Sequence, residues 1–395
     1  MQCIIFSEEY CRPENLFPFT LTRRMQDIRI GILTIREKWE KILNLPSFDR
    51  WEGDYKESDR SLVIDSGIEE GNYLLVHANI IPTDSLIAAV KKLQKGELLV
   101  HPDAGAIAMH FTKEEVTGLH KIKVHNTLAF EEDIFCVNNP WDLFKLNDLA
   151  LRLDFELMTR GRRSAPISAT NRITNPEQVF LEEGAEMEHC IINAAMGPVY
   201  IGKDAQLMEG CCIRGPLSVG ENSVIKMGAK IYGATTIGPY CLAGGEIKNS
   251  ILMGYSHKAH DGYLGDAIIG EWCNLGAGTS ASNIKNNAGQ VMVYHPASEG
   301  GRGLAGMKCG LIMGDYSRSA INTSFNTGSV VGVSCSVFGN GLLPKYIPNF
   351  SWGAEGVRKY EFDKSLRDIR NWKALKGMDL EPREENILKY IYDNF

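Results

Sequence analysis

Aliphatic-glycine steps recur at Ile201-Gly202, Val219-Gly220 and Ile237-Gly238, eighteen residues apart each time, with small or polar residues in the turns between them. Eighteen is three hexapeptides. A six-residue period points one aliphatic side chain inward on each short strand and leaves the turn to Gly, Asn or Asp, so that three strands complete one triangular coil. The phase returns at Ile269-Gly270 with Leu275-Gly276, then at Met313-Gly314, Ser319, Phe325, Val331-Gly332 and Val337. The spacing predicts a left-handed parallel β-helix over residues 179–350, with loops inserted around 252–266 and 284–310. A Gly-rich β-sandwich has no need of spacing this strict. Glycine marks the same boundary, since 28 of the 39 glycines fall within residues 179–350.

The first 165 residues obey a different pattern. Short β-rich runs (Cys3 to Phe6, Ser61 to Ile64, Tyr73 to Val76, Lys121 to Val124) alternate with helical periodicity. Ile32, Ile35, Trp39, Ile42 and Leu43 share one helical face, as do Leu86, Val90 and Leu93 behind a Thr83 cap. Such alternation predicts an α/β domain over residues 1–165 with a mainly parallel sheet, closed by a helix from near Trp141 through Leu157. Residues 166–178 read as a linker. Residues 351–395 read as a helical tail on the prism: Phe362, Leu366, Ile369 and Trp372 form a stripe, and Pro382 ahead of Glu384 and Glu385 suits a helix start.

Composition narrows the function classes. Forty-two Lys and Arg against 49 Asp and Glu give a formal charge of −7, so nothing favours nucleic acid or an anionic membrane as partner. No run of eighteen apolar residues occurs, and the N-terminus lacks the basic start of a secretory signal; a cytoplasmic protein is expected. The 10 cysteines include no Cys-x-x-Cys pair, against a structural zinc site or a disulfide framework, and most read as small buried hydrophobes.

A β-helix core needs aliphatics and turn glycines, but not the polar run from Ser256 through Asp266, which contains His257, Lys258, His260 and Asp261. Glu246-Ile247-Lys248-Asn249-Ser250, the run through Tyr263-Leu264-Gly265-Asp266, and Asn274-Leu275-Gly276-Ala277-Gly278-Thr279 followed by Asn283 resemble the acetyltransferase half of the bacterial bifunctional N-acetylglucosamine-1-phosphate uridyltransferase/glucosamine-1-phosphate acetyltransferase family. That family also joins an N-terminal sugar nucleotidyltransferase domain to a C-terminal hexapeptide β-helix. The resemblance implies acetyl transfer from acetyl-CoA to an amino-sugar 1-phosphate, within UDP-N-acetylglucosamine and cell-envelope biosynthesis, by a homotrimer. It makes His260 the general base. An amino sugar's ammonium must lose a proton before its nitrogen attacks a thioester, and an imidazole with an ordinary pKa of about 6.5 accepts one near neutral pH. Lys248 and Tyr263 match positions that hold the sugar phosphate, Asn274 a sugar contact, and Ala277 and Asn283 the acetyl-CoA site. Asn283 is followed by Ile284-Lys285-Asn286-Asn287 and a long insertion where the family has Tyr-Asp-Gly, so a different coenzyme pocket is expected. For the family's phosphate-binding arginine, Lys230 and Arg214 are the candidates.

In the N-terminal half the glycine-rich phosphate loop of sugar nucleotidyltransferases is missing. After Ile4-Ile5-Phe6 the chain runs through Arg12-Pro13, Pro18-Phe19-Thr20-Leu21-Thr22-Arg23-Arg24 and Arg29-Ile30-Gly31, similar to a shortened, divergent branch of the bifunctional family. Guanidinium forks at Arg12, Arg23, Arg24 and Arg29 are expected to take over the phosphates of a nucleoside triphosphate. The strand ending His77-Ala78-Asn79 resembles the one carrying the family's magnesium aspartate, which makes Asn79 a neutral candidate ligand for Mg²⁺ with Asn147 as the second. Asp84 and Asp103 are further acids nearby in sequence.

Three readings compete. They are a two-headed sugar-nucleotide enzyme, an acyltransferase with a degenerate nucleotide-binding domain, and a non-catalytic regulatory scaffold. A β-helix carbonic anhydrase would need three histidines converging on zinc, a pattern His257 and His260 are too local to supply.

Overall fold

A computed structural model describes residues 3–9, 11–48, 69–118, 121–354 and 358–395. The chain forms two compact units, one of Met1–Pro13, Arg23–Ile28 and Leu33–Asn138, the other of Glu14–Thr22, Arg29–Ile32 and Asn139–Phe395.

The first unit is built on a six-stranded sheet in the order Asn126–Ala129, Glu97–His101, Gly105–Thr112, Asn72–His77, Cys3–Ser7, Ser47–Phe48. Cys3–Ser7 runs parallel to both its neighbours, but Gly105–Thr112 is antiparallel to both of its own. The sheet is therefore mainly parallel, as expected, with Gly105–Thr112 the one strand that runs against the other five. The cause is local: three residues separate Glu97–His101 from Gly105–Thr112, enough for a hairpin and too few for a crossover. The expected strand at Ser61 to Ile64 lies outside the described residues. Helix α1 (Ile35–Leu43) starts after Ile32, the first residue of the expected stripe, because Thr34 and Glu37 form a reciprocal capping box that sets its first turn. Its Trp39 is fully buried and donates from the indole to the Ile80 carbonyl at 3.0 Å. Helix α2 (Asp84–Val90) is capped by Thr83, which accepts from the Leu86 amide.

The second unit is the prism. Three parallel sheets of 8, 9 and 8 strands, one per face, wind through about 10 turns. The first face begins with Arg172–Thr174, the second with Val179–Leu181, the third with Glu186–Met187. Ile201, Val219, Ile237, Leu252, Ile269, Met313, Val331 and Ile347 stand in register up the second face and are all fully or almost fully buried. Each coil thus contributes one rung of an aliphatic ladder. The glycine after the rung is required by the next coil: a Cβ on Gly220 would lie 2.5 Å from the Pro239 nitrogen. All ten cysteines are free thiols. Cys241, Cys273 and Cys335 are interior, each amide donating to the hydroxyl of Ser223, Ser256 or Ser317 one coil below.

Three boundaries differ from expectation. The polar run 252–266 is not a loop but a coil, with strands Ile251–Leu252, His257–Lys258 and Tyr263–Gly265 in register with their neighbours. Of its polar residues His260 and Asp261 are exposed, whereas Ser256, Lys258 and Asp266 are buried. The linker 166–178 already contains Arg172–Thr174, paired with Ile191–Asn193. Helix α3 (Pro140–Thr159), expected to close the N-terminal domain, groups with the prism, where Phe155 clusters with Phe180 and Tyr200. The insertion at 284–310 is present and holds the hairpin Val291–Tyr294 with Arg302–Gly306. Helices α4 (Phe362–Ala374) and α5 (Pro382–Asn394) pack on the prism: Glu384 accepts from Tyr316 and Lys373, and Phe350 contacts Phe362 and Tyr392.

Candidate functional site

Register brings the expected prism residues together. On the first face Lys230 pairs with Glu246 and Glu246 with Tyr263, while Tyr232 pairs with Lys248 and Lys248 with Gly265. Alternation sends all of these side chains outward around inward Ile231, Ile247 and Leu264. The result is a polar panel of Lys230, Tyr232, Glu246, Lys248 and Tyr263 on three successive coils, with exposed Arg214 on the coil before. Glu246 was quoted in the motif but given no role from sequence; its carboxylate accepts the Tyr232 hydroxyl at 2.6 Å, which with burial pushes that phenol up to about 12. The Lys248 ammonium stands 5.8 Å from the Tyr232 ring centre. Burial and the charges of Asp266 and Glu246 raise Tyr263, so its hydroxyl stays protonated and can donate. Gly265 leaves the room for that hydroxyl, since a Cβ there would lie 2.3 Å from it.

His260 sits on the exposed corner between His257–Lys258 and Tyr263–Gly265, and its ring has no hydrogen-bond partner among the described residues. The corner itself is fixed from inside. Lys258 points into the prism, 2% exposed, and its ammonium donates to the carbonyls of Gly244 at 3.0 Å and His260 at 2.7 Å. Burial lowers this amine to about 8. Sequence reading missed Lys258 because a lysine within a polar run looks solvated, and only the strand phase reveals that it faces inward.

Asn283 is buried with its amide on the Asp266 carboxylate, while Asn249 donates to the other oxygen of Asp266 at 2.6 Å. The returning insertion closes on the same residues, Cys309 donating to the Asn283 carbonyl at 3.0 Å and Gly310 to the Asp266 carbonyl at 2.8 Å. An Asn283 so engaged braces the insertion. Ala277 occupies the next corner, its carbonyl accepting from Asn322. Asn274 is on the third face, in register with His257, and stands apart from the Lys248 and Tyr263 panel.

In the first unit the parallel strands Cys3–Ser7 and Asn72–His77 end side by side, and a ligand crevice is expected beyond their carboxyl ends. A cavity of about 350 Å³ lies there, lined by His77, Asn79, Asp103, Cys136 and Asn138 among others. Asn79 donates to Asn138 at 2.8 Å and accepts from the Cys11 thiol. Burial holds His77 at about 4, hence neutral at physiological pH. Of the two acids, Asp103 reaches the cavity, held by its amide on His101, and Asp84 is not among the lining residues.

The arginines divide. Arg12 is exposed, Arg23 is buried, and Arg24 is buried in an ion pair with Glu8 at 2.9 Å, the same carboxylate accepting the Met25 amide. Arg29 belongs to the second unit, where it donates to the Ile32 carbonyl. Asn147, expected as a metal ligand, is fully buried in the second unit. Its carbonyl oxygen accepts from Gly31 at 2.7 Å and Thr236 at 3.1 Å, and its amide donates to Ala234. These bonds satisfy the side chain and give it a structural role. Among the described residues no cluster of three or more His, Cys, Asp or Glu could hold a metal ion. Asn79 and Asp103 offer one amide and one carboxylate, so a Mg²⁺ ion there would take its other ligands from water and the nucleotide phosphates.

Residues 3–163 match the family model for sugar nucleotidyl transferases. The chain is 22% identical over 235 residues to the bifunctional protein GlmU of Synechococcus elongatus, covering 54% of this chain and 48% of that protein. It is 30% identical over 190 residues to GlmU of Thermus thermophilus, covering 42% and 39%. It is 26% identical over 225 residues to a bifunctional sugar-1-phosphate nucleotidylyltransferase/acetyltransferase of Sulfurisphaera tokodaii, covering 55% and 47%. The chain thus spans half or less of the length of these curated relatives. Among solved structures, a hexapeptide transferase family protein from Anaplasma phagocytophilum aligns with 58% of this chain and 91% of its own, at 15% identity and a TM-score of 0.23. The chain is thus similar to sugar nucleotidyl transferases over residues 3–163, and over about half its length to bifunctional GlmU proteins.

Proposed function

We propose that the prism transfers an acetyl group from acetyl-CoA to the amino group of a hexosamine 1-phosphate, glucosamine 1-phosphate being the first substrate to test. The observation carrying this reading is the alignment of Lys248 and Tyr263 on adjacent coils of one face, reached through the corner that presents His260. Lys248 supplies charge and Tyr263 a directed hydroxyl to the sugar phosphate. His260 takes a proton from the acceptor ammonium, and the freed nitrogen attacks the thioester carbonyl. The carbon–sulfur bond breaks, the thiolate of coenzyme A leaves and is protonated, and the amide forms. A homotrimer supplies the opposing wall of the cleft, and the protein acts in the cytoplasm. Incubation of the full chain with acetyl-CoA and a panel of amino-sugar phosphates tests the reading. Thiol release dependent on an amino-sugar 1-phosphate supports it, and no release with any member removes it.

For the N-terminal unit we propose nucleotidyl transfer from a nucleoside triphosphate to a sugar 1-phosphate, with the cavity at His77 and Asn79 receiving the nucleotide and Arg12 and Arg23 meeting its phosphates. A second reading, a domain that no longer transfers, is favoured by the pairing of Arg24 with Glu8 and by neutral Asn79. Pyrophosphate release from a panel of triphosphates with Mg²⁺ and a sugar 1-phosphate separates them: release supports transfer, and its absence selects the degenerate domain.

A further inference from the structure

The outward side chains of the third face place His257, Asn274 and Arg318 in register on three successive coils. Helix α4 lies over them. The Trp372 ring meets His257 edge-on at 5.8 Å and lies 5.1 Å from the Arg318 guanidinium carbon. Beneath it, Nε and Nη2 of Arg318 and Nε2 of His257 are buried with no hydrogen-bond partner. Buried polar groups are nearly always satisfied, and one left bare is costly, more so when charged. Three such atoms in one column lack an acceptor beneath the Trp372 ring, and a ligand that displaces the ring would supply one.

The sign of that ligand follows from its surroundings. Arg318 is cationic, and Lys376, after the end of α4, lies close enough to act electrostatically on His257. Asp368 also acts on Arg318, and its own carboxylate lies 3.7 Å from the Arg367 guanidinium, which leaves the charges around the column net positive. Lys373, the other cation on this helix face, is neutralised by Glu384 at 2.6 Å and stacks on Trp272. We infer that the column His257, Asn274 and Arg318, walled by Trp372, is a binding site for a phosphate group. Arg318 offers two N–H donors in a fixed fork, the geometry that suits phosphate oxygens. His257 offers Nε2–H and Asn274 an amide. Trp372 covers the guanidinium and excludes water until a ligand moves it aside. The inference does not rest on acetyl transfer, which uses the first face.

Titration calorimetry of the full chain with inorganic phosphate, glucosamine 1-phosphate and coenzyme A tests the site and its source of phosphate. Saturable binding of inorganic phosphate is expected, weakened at least about tenfold by Arg318→Met, the loss of one charged hydrogen-bond pair. The histidine ¹⁵N spectrum of the wild type should show His257 shifting with phosphate. A loss of affinity for either ester on Arg318→Met, with that ester bound more tightly than inorganic phosphate by the wild type, identifies the natural source. Should Arg318→Met fail to fold, Arg318→Lys retains the charge without the fork and should bind more weakly than the wild type. Absence of saturable phosphate binding, or identical binding by wild type and folded Arg318 variants, overturns the site. Since acetyl transfer is assayed separately, its failure leaves this result standing.

Discussion

A histidine on an exposed corner acts as a base only if its backbone is held, and here the holding is done by Lys258 from inside the prism. His260→Ala is expected to lower kcat about a hundredfold or more with the fold and oligomer unchanged, read by steady-state kinetics beside light scattering. Lys248→Ala should act through the acceptor, raising its KM while that for acetyl-CoA stays level; a change confined to acetyl-CoA contradicts the assigned role. Lys258 carries its own pH signature. Its amine is lowered from 10.5 to about 8 by burial, so between those values the unfolded chain binds more protons than the folded one. Stability should therefore rise from pH 8 towards 10.5 relative to Lys258→Met, whose urea midpoints lack that increment. Identical pH dependence in the two proteins would show that the amine is not strained by burial. At this scale the sequence was legible where strand phase decides placement, as at Lys248 and Tyr263, which it put on one outward face. It was illegible where a side chain's role depends on distant partners, as for Asn147 on Gly31 and Ala234, or Arg24 on Glu8.

Among the elements, those governed by local rules were the readable ones. Capping at Thr83 announces itself within a few residues, and the eighteen-residue period within three coils. The antiparallel strand Gly105–Thr112 did not, because a three-residue connection is decisive only once both strands are known. The coil at 252–266 read as a loop because its outward residues are polar and its turns depart from eighteen: Thr236 to Ile251 is fifteen residues and Ile251 to Ile268 seventeen. The ladder makes a quantitative demand. Ile237→Ala leaves a hole between Val219 and Leu252 with coils on both sides unable to collapse, and should cost about 2–5 kcal/mol in denaturant titration. A loss below about 1 kcal/mol would mean that neighbouring coils move independently of the rung between them.

For the whole molecule, the question is whether one copy of the prism makes a complete acetyltransferase site. Lys248, Tyr263 and Glu246 form only one wall, His260 is exposed, and its ring meets no orienting group among the described residues. A base usually has a third group that fixes its tautomer and direction, and a second copy of the chain is the natural source of one. A site lying between copies has a consequence that a self-contained site lacks. If His260 of one protomer serves the sugar held by Lys248 of its neighbour, then at acceptor concentrations well below the raised KM of Lys248→Ala the two variant proteins are each nearly inactive alone. Mixed, dissociated and reassembled, they regain activity in those clefts that receive both intact residues. Random reassembly of a trimer gives a substantial fraction of such clefts, so recovery should be well above the sum of the two variants. Recovery no greater than that sum, with mixed trimers demonstrated by mass spectrometry, would place the complete site within a single protomer.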